Sequence, residues 1–258
     1  MNTVPFLSLV VPAYNEEQRL PVTLERVLAY LDGQDYSYEV IVVDDGSDDN
    51  TVDVIRPLLD KYSQLRLVEN DHRGKGYTVR TGMLAARGEQ VIFTDADLAT
   101  PIEEIDKMLP FLQDGYDVVI GSREGLGAER HGEPFHRHLM GRVFNLMVRL
   151  VAVGNFQDTQ CGFKGFRREA AHEVFNRLRI HGADAGVIQG GAVTAFDVEV
   201  LFVTQRCGYR IKEVPVTWHY GVNSKVNALR DSIRMFQDVL QVRLNALRGL
   251  YDDSPDEG

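Results

Sequence analysis

The chain has 258 residues, 44% of them hydrophobic and 26% charged, enough apolar material for one substantial core and too much for disorder outside the ends. A formal net charge of −10 speaks against a general nucleic-acid binder, which would be basic, yet leaves room for a local basic patch facing phosphate. Two cysteines, Cys161 and Cys207, far apart and without CxxC spacing, argue against a disulfide framework or a zinc site and suit a reducing compartment.

Met1 to Val11 lacks a basic start and a long apolar run, so it reads as a first strand rather than a signal peptide. Phe6–Val11 is a buried strand, and Val22, Leu24, Val27, Leu28 and Leu31 give Pro21–Leu31 a helical apolar face. Strands at Glu39–Val43, Leu65–Val68, Val91–Thr94 and Val118–Ile120 alternate with helices near Asn50–Tyr62, Lys75–Ala86 and Ile102–Leu112. This β/α alternation predicts an α/β fold with a mainly parallel sheet covered on both faces. Beyond Arg123 the texture changes. Phe135–Val153 reads as an amphipathic helix with Leu139, Met140, Val143, Phe144, Met147, Leu150 and Val151 on one broad face, followed by a strand-like Gly162–Phe166. Gly182–Ala195 holds Gly182, Gly186, Gly190 and Gly191 and reads as a loop. Phe196–Arg206 is helical, Ile211–Val216 extended, and Val226–Leu250 a long helix. No stretch approaches the roughly 18 uninterrupted apolar residues of a membrane span.

The acidic residues fall at carboxyl ends of strands, where open α/β sheets bind ligands. Val40–Val43 runs into Asp44-Asp45-Gly46-Ser47, and Val91–Thr94 into Asp95-Ala96-Asp97. Two carboxylates spaced in this way can share one hard cation, and Mg²⁺ or Mn²⁺ bound so keeps positions open for substrate phosphates. Alone, each Asp could cap the helix that follows. Together, both clusters in one α/β half point to a nucleotide-diphosphate site. Arg73-Gly74-Lys75-Gly76 lacks P-loop spacing and reads as a turn opening a helix. His131, His136 and His138 lie among Arg130, Arg137 and Arg142, which reads as a polar helix start rather than a metal site.

Val10-Val11-Pro12-Ala13-Tyr14-Asn15-Glu16-Glu17, Val42-Val43-Asp44-Asp45-Gly46-Ser47 and Asp95-Ala96-Asp97 resemble the family 2 glycosyltransferases of the GT-A fold. Arg73-Gly74-Lys75-Gly76, Asp97-Leu98-Ala99-Thr100-Pro101, Gly121-Ser122-Arg123, the run Asp158–Lys164 and Phe196-Asp197-Val198-Glu199 are similar to the dolichyl- and polyprenyl-phosphate β-glucosyltransferases. The resemblance spans residues 6–245. It implies one GT-A domain over residues 1–250, with a nucleotide-binding half at 1–122, an acceptor half at 123–250, and an acidic tail at 251–258. It implies a donor site at Pro12, Tyr14, Glu16, Asp45, Lys75, Asp95, Ala96, Asp97 and Lys225, with Mg²⁺ or Mn²⁺ on Asp95 and Asp97. Arg123 and Arg137 would meet an acceptor phosphate, and Asp97, Asp197 and Arg123 would be catalytic. The implied reaction is inverting transfer of a hexose, glucose from UDP-glucose, onto a polyprenyl phosphate. A hydroxyl acceptor would need a base, for which Asp197 is the candidate, whereas an anionic phosphate needs positioning cations.

Related mannosyl enzymes carry Gln where this chain has Ala99, which leans towards glucose; GDP-mannose, or a soluble acceptor, is the alternative. Glycine-rich 182–195 is an addition relative to the glucosyl relatives and is expected either to cover the donor or to be a tolerated surface insertion. The helices at 135–153 and 226–250 pair apolar faces with arginines, suiting peripheral contact with the cytoplasmic face of a membrane or packing on the core or on a second copy in a homo-oligomer. A sugar-1-phosphate nucleotidyltransferase would open with a glycine-rich basic loop, and Pro12-Ala13-Tyr14-Asn15-Glu16 is not one. A non-catalytic nucleotide-binding module is disfavoured by the joint presence of Asp95, Asp97, Arg123 and Lys225.

Overall fold

The computed structural model describes residues 4–154, 156–188, 194–221 and 228–252. Four parallel strands form one side of the sheet: β1 (Leu7–Ala13), β2 (Tyr38–Asp44), β3 (Leu65–Glu69) and β4 (Gln90–Phe93). The apolar runs of β1, β2 and β4 are nearly continuous because both faces are covered, and every residue of β1 is buried, whereas edge strand β3 buries only Leu65. Helices α1 (Leu20–Asp32), α2 (Thr51–Lys61) and α3 (Lys75–Ala85) make the crossovers. A short 3₁₀ turn and α4 (Ile105–Gln113) lead to β5 (Val118–Ser122). On α1 the core takes Leu20, Leu24, Val27, Leu28 and Leu31, while Val22, expected on the apolar face, is 67% exposed.

The second half adds β6 (Glu129–His131), α5 (Phe135–Val148), β7 (Lys164–Arg167), α6 (Arg168–Asn176), α7 (Phe196–Arg206), β8 (Ile211–Pro215), β9 (Thr217–His219) and α8 (Ala228–Leu247). The seven-stranded sheet runs β3-β2-β1-β4-β7-β5-β8, and β6 pairs with β9 alongside it. Only β7 is antiparallel in the main sheet, inserted between β4 and β5 with Lys164 in register with both Phe93 and Ile120. Its first residue therefore stands at the carboxyl ends of its parallel neighbours. This is the mostly parallel, helix-flanked sheet expected for a GT-A fold.

Several details differ from the sequence reading. Helix α6 and strands β6 and β9 carry too short or too polar a pattern to be read without their partners. The expected helix 135–153 is α-helical to Val148 and ends in a π-helical turn over Arg149–Val153. On α5 the core receives Phe144 and Val148, while Phe135, Leu139, Met140, Val143, Leu146 and Met147 are exposed. On α8, Val239 and Val242 are buried, whereas Ile233, Leu240, Leu244 and Leu247 are exposed. The tail is partly fixed: Tyr251 is buried with its hydroxyl donating to Glu199 at 2.9 Å, and Asp252 pairs with Arg206.

Candidate active site

The strand order reverses between β1 and β4, and there the carboxyl ends part to leave a crevice. A cleft of about 290 Å³ opens at this point, lined by Pro12, Ala13, Tyr14, Glu16, Arg19, Asp45, His72, Gly74, Lys75, Thr78, Asp95, Ala96 and Asp97. Of the expected donor residues, all but Lys225 meet in this one cavity; Lys225 lies outside the described residues. Gly221, the last described residue before it, sits with its Cα hydrogens towards Asp97, 3.7 Å from Oδ2 for an added Cβ.

The walls of the cleft are loops tied to one another. Asp44 accepts hydrogen bonds from the Ser47 amide at 3.0 Å and hydroxyl at 2.5 Å, and the Ser47 hydroxyl accepts from the Asn15 amide at 2.9 Å. This holds Asn15 at φ 55°, a left-handed conformation that a non-glycine residue adopts at some cost. Leu98 is the other such residue, at φ 46°, closing the Asp95–Leu98 turn with its amide on the Asp95 carbonyl at 3.1 Å. Both non-glycine residues of this kind among the described residues therefore flank the same cleft. Thr23 of α1 donates to the Ala96 carbonyl at 2.6 Å and pins the middle of that turn.

Asp45 is one of the residues expected at the donor site. Its buried carboxylate accepts from the amides of Arg73 at 2.9 Å and Gly74 at 3.0 Å and meets His72 Nδ1 at 2.8 Å. His72 Nδ1 faces two acceptors, this carboxylate and the Asp45 carbonyl at 3.0 Å, so it carries the proton. The ring stacks on Tyr14 with centroids 4.0 Å apart and planes 6° from parallel. Asp45 thus builds the floor through the His72–Gly74 turn. Gly74, at φ 89°, opens α3 as the sequence suggested, and Ile188 of the glycine-rich segment packs 3.1 Å from where its Cβ would stand. The Ile188 amide donates to the His72 carbonyl at 2.9 Å and Arg73 to the Ala185 carbonyl at 3.1 Å. Ala183, Ala185 and Ile188 therefore lie against the His72–Gly74 turn at the cleft; residues 189–193 lie outside the described residues.

Asp95 and Asp97 face the cleft together. Asp95 rests on Gly162, where a Cβ would come within 2.2 Å of Oδ2, so the carboxylate occupies a cradle only glycine leaves open. Asp97 accepts from the Ala99 amide at 3.0 Å. The cleft walls withdraw water from the Asp97 carboxyl, and Asp95 adds a like charge beside it; both push its pKa above the ordinary value. Two carboxylates made to repel each other at an open site are a donor set suited to a hard cation. Among the described residues no three of His, Cys, Asp and Glu gather as a metal cage, so remaining ligands would come from substrate phosphate and water. Lys75 starts α3, where the helix dipole disfavours a cation, and meets Asp95 Oδ1 at 2.5 Å. Burial works against its charge, but Asp95 and then Asp197 raise its pKa above the ordinary value.

Arg123 and Arg137 are not in this cleft. Arg123 lies beneath a second hollow of about 100 Å³ with Arg130, Arg142, Glu124, Glu133 and Gln160. Its guanidinium grips Asp158 through two bonds, at 2.6 and 2.9 Å, and faces the Trp218 ring at 5.3 Å. Burial opposes the charge on Asp158, yet Arg123 overcomes it and holds the carboxyl well below the usual carboxylate range. Arg137 faces Tyr220 at 5.5 Å. Trp218 and Tyr220 lie on and beside β9, whose His219 amide donates to the Ala99 carbonyl at 2.7 Å, so this ribbon links the arginines to the Asp97 turn. Asp197 pairs with buried Lys164. Sequence reading missed Arg19, Thr23, His72, Gly162 and Lys164. Lys164 ends the Asp158–Lys164 run and could have been found as a lysine in a strand otherwise made for the core.

The family model for glycosyl transferase family 2 matches residues 8–175. The chain belongs to that family. It is a sugar-transferring enzyme, 36% identical over 262 residues to the human dolichyl-phosphate beta-glucosyltransferase, covering 95% of this chain and 77% of that one. It is 34% identical to its counterpart from Dictyostelium discoideum, covering 95% and 76%. Among solved structures, the fold is shared with a mannosyltransferase from Pyrobaculum calidifontis in complex with GDP-Man and Mn²⁺. There the TM-score is 0.61 at 24% identity, over 96% of this chain and 65%, just under two thirds, of that one. It is shared too with glucosyl-3-phosphoglycerate synthase from Mycobacterium tuberculosis in complex with Mn²⁺ and UDP-glucose, at TM-score 0.62, 20% identity and coverage of 98% and 81%.

Proposed function

We propose that this family 2 enzyme transfers glucose from UDP-glucose to a polyprenyl or dolichyl phosphate. The carrying observation is the Asp95/Asp97 pair at the mouth of a nucleotide-sized cleft at the sheet's switch point. The names of its relatives, dolichyl-phosphate beta-glucosyltransferases, favour glucose and a lipid phosphate. GDP-mannose is the second reading, favoured by the mannosyltransferase likeness and opposed by Ala99.

Asp95 and Asp97 would hold Mg²⁺ or Mn²⁺, which supplies charge neutralisation at the departing diphosphate. Lys75 stands ready as a second positive group for those phosphates, and Tyr14 on His72 offers an aromatic surface for the base. Pro12, Glu16 and Ala96 shape the walls, and Lys225 would complete the donor set. An anionic acceptor oxygen attacks without a general base, so the acceptor side has to supply cations. Arg123 and Arg137, joined to the Asp97 turn by β9, serve that purpose.

No helix among the described residues is long and apolar enough to cross a membrane. Exposed Phe135, Leu139, Val143 and Leu146 on α5 are accompanied by Arg137, Arg142 and Arg149, and residues 135–149 contain no acid in a chain of net charge −10. That composition suits an anionic lipid surface on the cytoplasmic side, where a lipid-linked acceptor is presented. A donor panel with Mg²⁺ or Mn²⁺, with and without polyprenyl phosphate, tests the reading through nucleoside diphosphate release. UDP release that requires UDP-glucose, metal and the lipid phosphate is expected; GDP release from GDP-mannose alone would reassign the donor. Sedimentation with anionic vesicles at low salt tests the surface, and a protein that stays in the supernatant would refute it.

A further inference from the structure

Lys164 is fully buried, at 0% exposure, in a strand between two apolar neighbours. An ammonium in such a place is costly unless paired, and a methionine of similar length would avoid the cost. Its partners are the Asp197 carboxylate and, at 2.5 Å, the Cys161 carbonyl. Its ammonium also lies 5.6 Å from the Phe93 ring, at the end of the strand that delivers Asp95. Asp197 sits in the first turn of α7 beside Phe196, whose ring is 5.7 Å from the Lys75 ammonium. Lys75 in turn meets Asp95. A path therefore runs from the Lys164–Asp197 pair inside the sheet, through Phe196 next to Asp197, to the Lys75–Asp95 pair at the cleft.

We infer that Lys164 is a positioning residue for sugar transfer: it fixes the Asp197 carboxylate, which together with Asp95 sets where the Lys75 ammonium stands beside the donor phosphates. The inference rests on the donor-site reading above. Asp197, committed to Lys164, then acts as a support for Lys75 and not as a proton acceptor. Asp197 is the only acidic side chain within bonding distance of Lys164 among the described residues, so the pair can be removed as a unit.

The test compares Lys164→Met, Asp197→Leu and the double variant. Each single change leaves one buried charge without its partner and lowers the melting temperature. The double variant removes both charges and is expected to melt within a few degrees of the wild type, since a buried pair replaced by apolar groups is often neutral. It should bind UDP with Mn²⁺ to within about threefold by calorimetry yet lose roughly 100-fold in kcat, as a displaced positioning group does. A double variant with wild-type kcat would reduce the pair to packing and overturn the inference. Should that variant fail to fold, Lys164→Gln keeps an amide donor at the same place; a kcat loss of about tenfold with an unchanged donor KM is expected, and wild-type kcat there would overturn it equally. A wild-type protein that releases no nucleoside diphosphate from any sugar nucleotide is a different failure: it would remove the donor-site reading and the inference with it.

Discussion

At the Asp95 cleft, negative charge is concentrated and only partly answered, whereas at the Arg123 hollow each sign is matched. Asp95 and Asp97 stand together so that Asp97 is pushed towards its neutral form, with Lys75 and Arg19 as nearby cations. Across the sheet, Arg123 is paired with Asp158, Arg130 with Glu124 and Glu133, and Arg142 with Glu124. The first site holds more negative than positive charge around its carboxylate pair, which is what the proposed cation would answer. The second is matched within itself, so the acceptor phosphate proposed there would compete with carboxylates already in place, which would select for a group that takes an arginine fork well.

Asp97→Ala attacks the incomplete side and should have the largest effect. Turnover is expected to fall by about 10³-fold or more, because metal-mediated charge stabilisation is worth several kcal/mol. Full nucleoside diphosphate release by that variant would remove the pair from the reaction. Gly162→Ala tests the same side without touching a charge. Its new Cβ would stand 2.2 Å from Asp95 Oδ2, so the carboxylate must move, and a loss of roughly 10- to 100-fold in kcat is expected. Unchanged turnover would show that the exact seat of Asp95 does not matter.

On the matched side, Arg123→Ala leaves Asp158 buried without its partner and should cost about 3–5 kcal/mol in urea unfolding. Acceptor KM should rise more than donor KM, and a defect confined to the donor would reassign the residue. The pH dependence has a definite sign. Asp158 ionises lower in the folded protein than in the unfolded chain, so its contribution is complete above the unfolded value of about 4 and fades as pH falls below it. The stability gap between wild type and Asp158→Asn should be constant from about pH 5 to 8 and narrow below about 4; a gap that widened on acidification would contradict the pairing. The smallest effect is expected for Thr23→Val, which removes the hydroxyl donor to the Ala96 carbonyl and should cost about 1 kcal/mol.

The parallel half was legible because β1, β2 and β4 are apolar runs that lead directly into residues lining the cleft, so the element and the candidate site share one stretch of sequence. Asp44-Asp45 and Asp95-Ala96-Asp97 could be placed at strand ends on that ground alone. The other half was less legible for a definite reason. Strands β6 and β9 exist only by pairing with each other, and α6 is short. On α8 the apolar stripe visible in sequence faces outward, while the core receives Val239 and Val242. A periodic pattern marks an apolar face without saying what covers it.

The Asp95-Ala96-Asp97 turn, its place after a strand and its family resemblance were determined by the sequence. Which groups surround it was decided by the tertiary structure. Strand β7 enters antiparallel between β4 and β5, bringing Gly162 under Asp95 from far along the chain and Lys164 against Asp197, a partner 33 residues further on. Strand pairing is a long-range choice set by shape and burial, and no local pattern in residues 161–164 encodes it. The same holds for Asp45 and Arg123: their charges could be read from sequence, but their commitment to the His72–Gly74 turn and to Asp158 follows from which backbone amides and carboxylates the fold buries beside them.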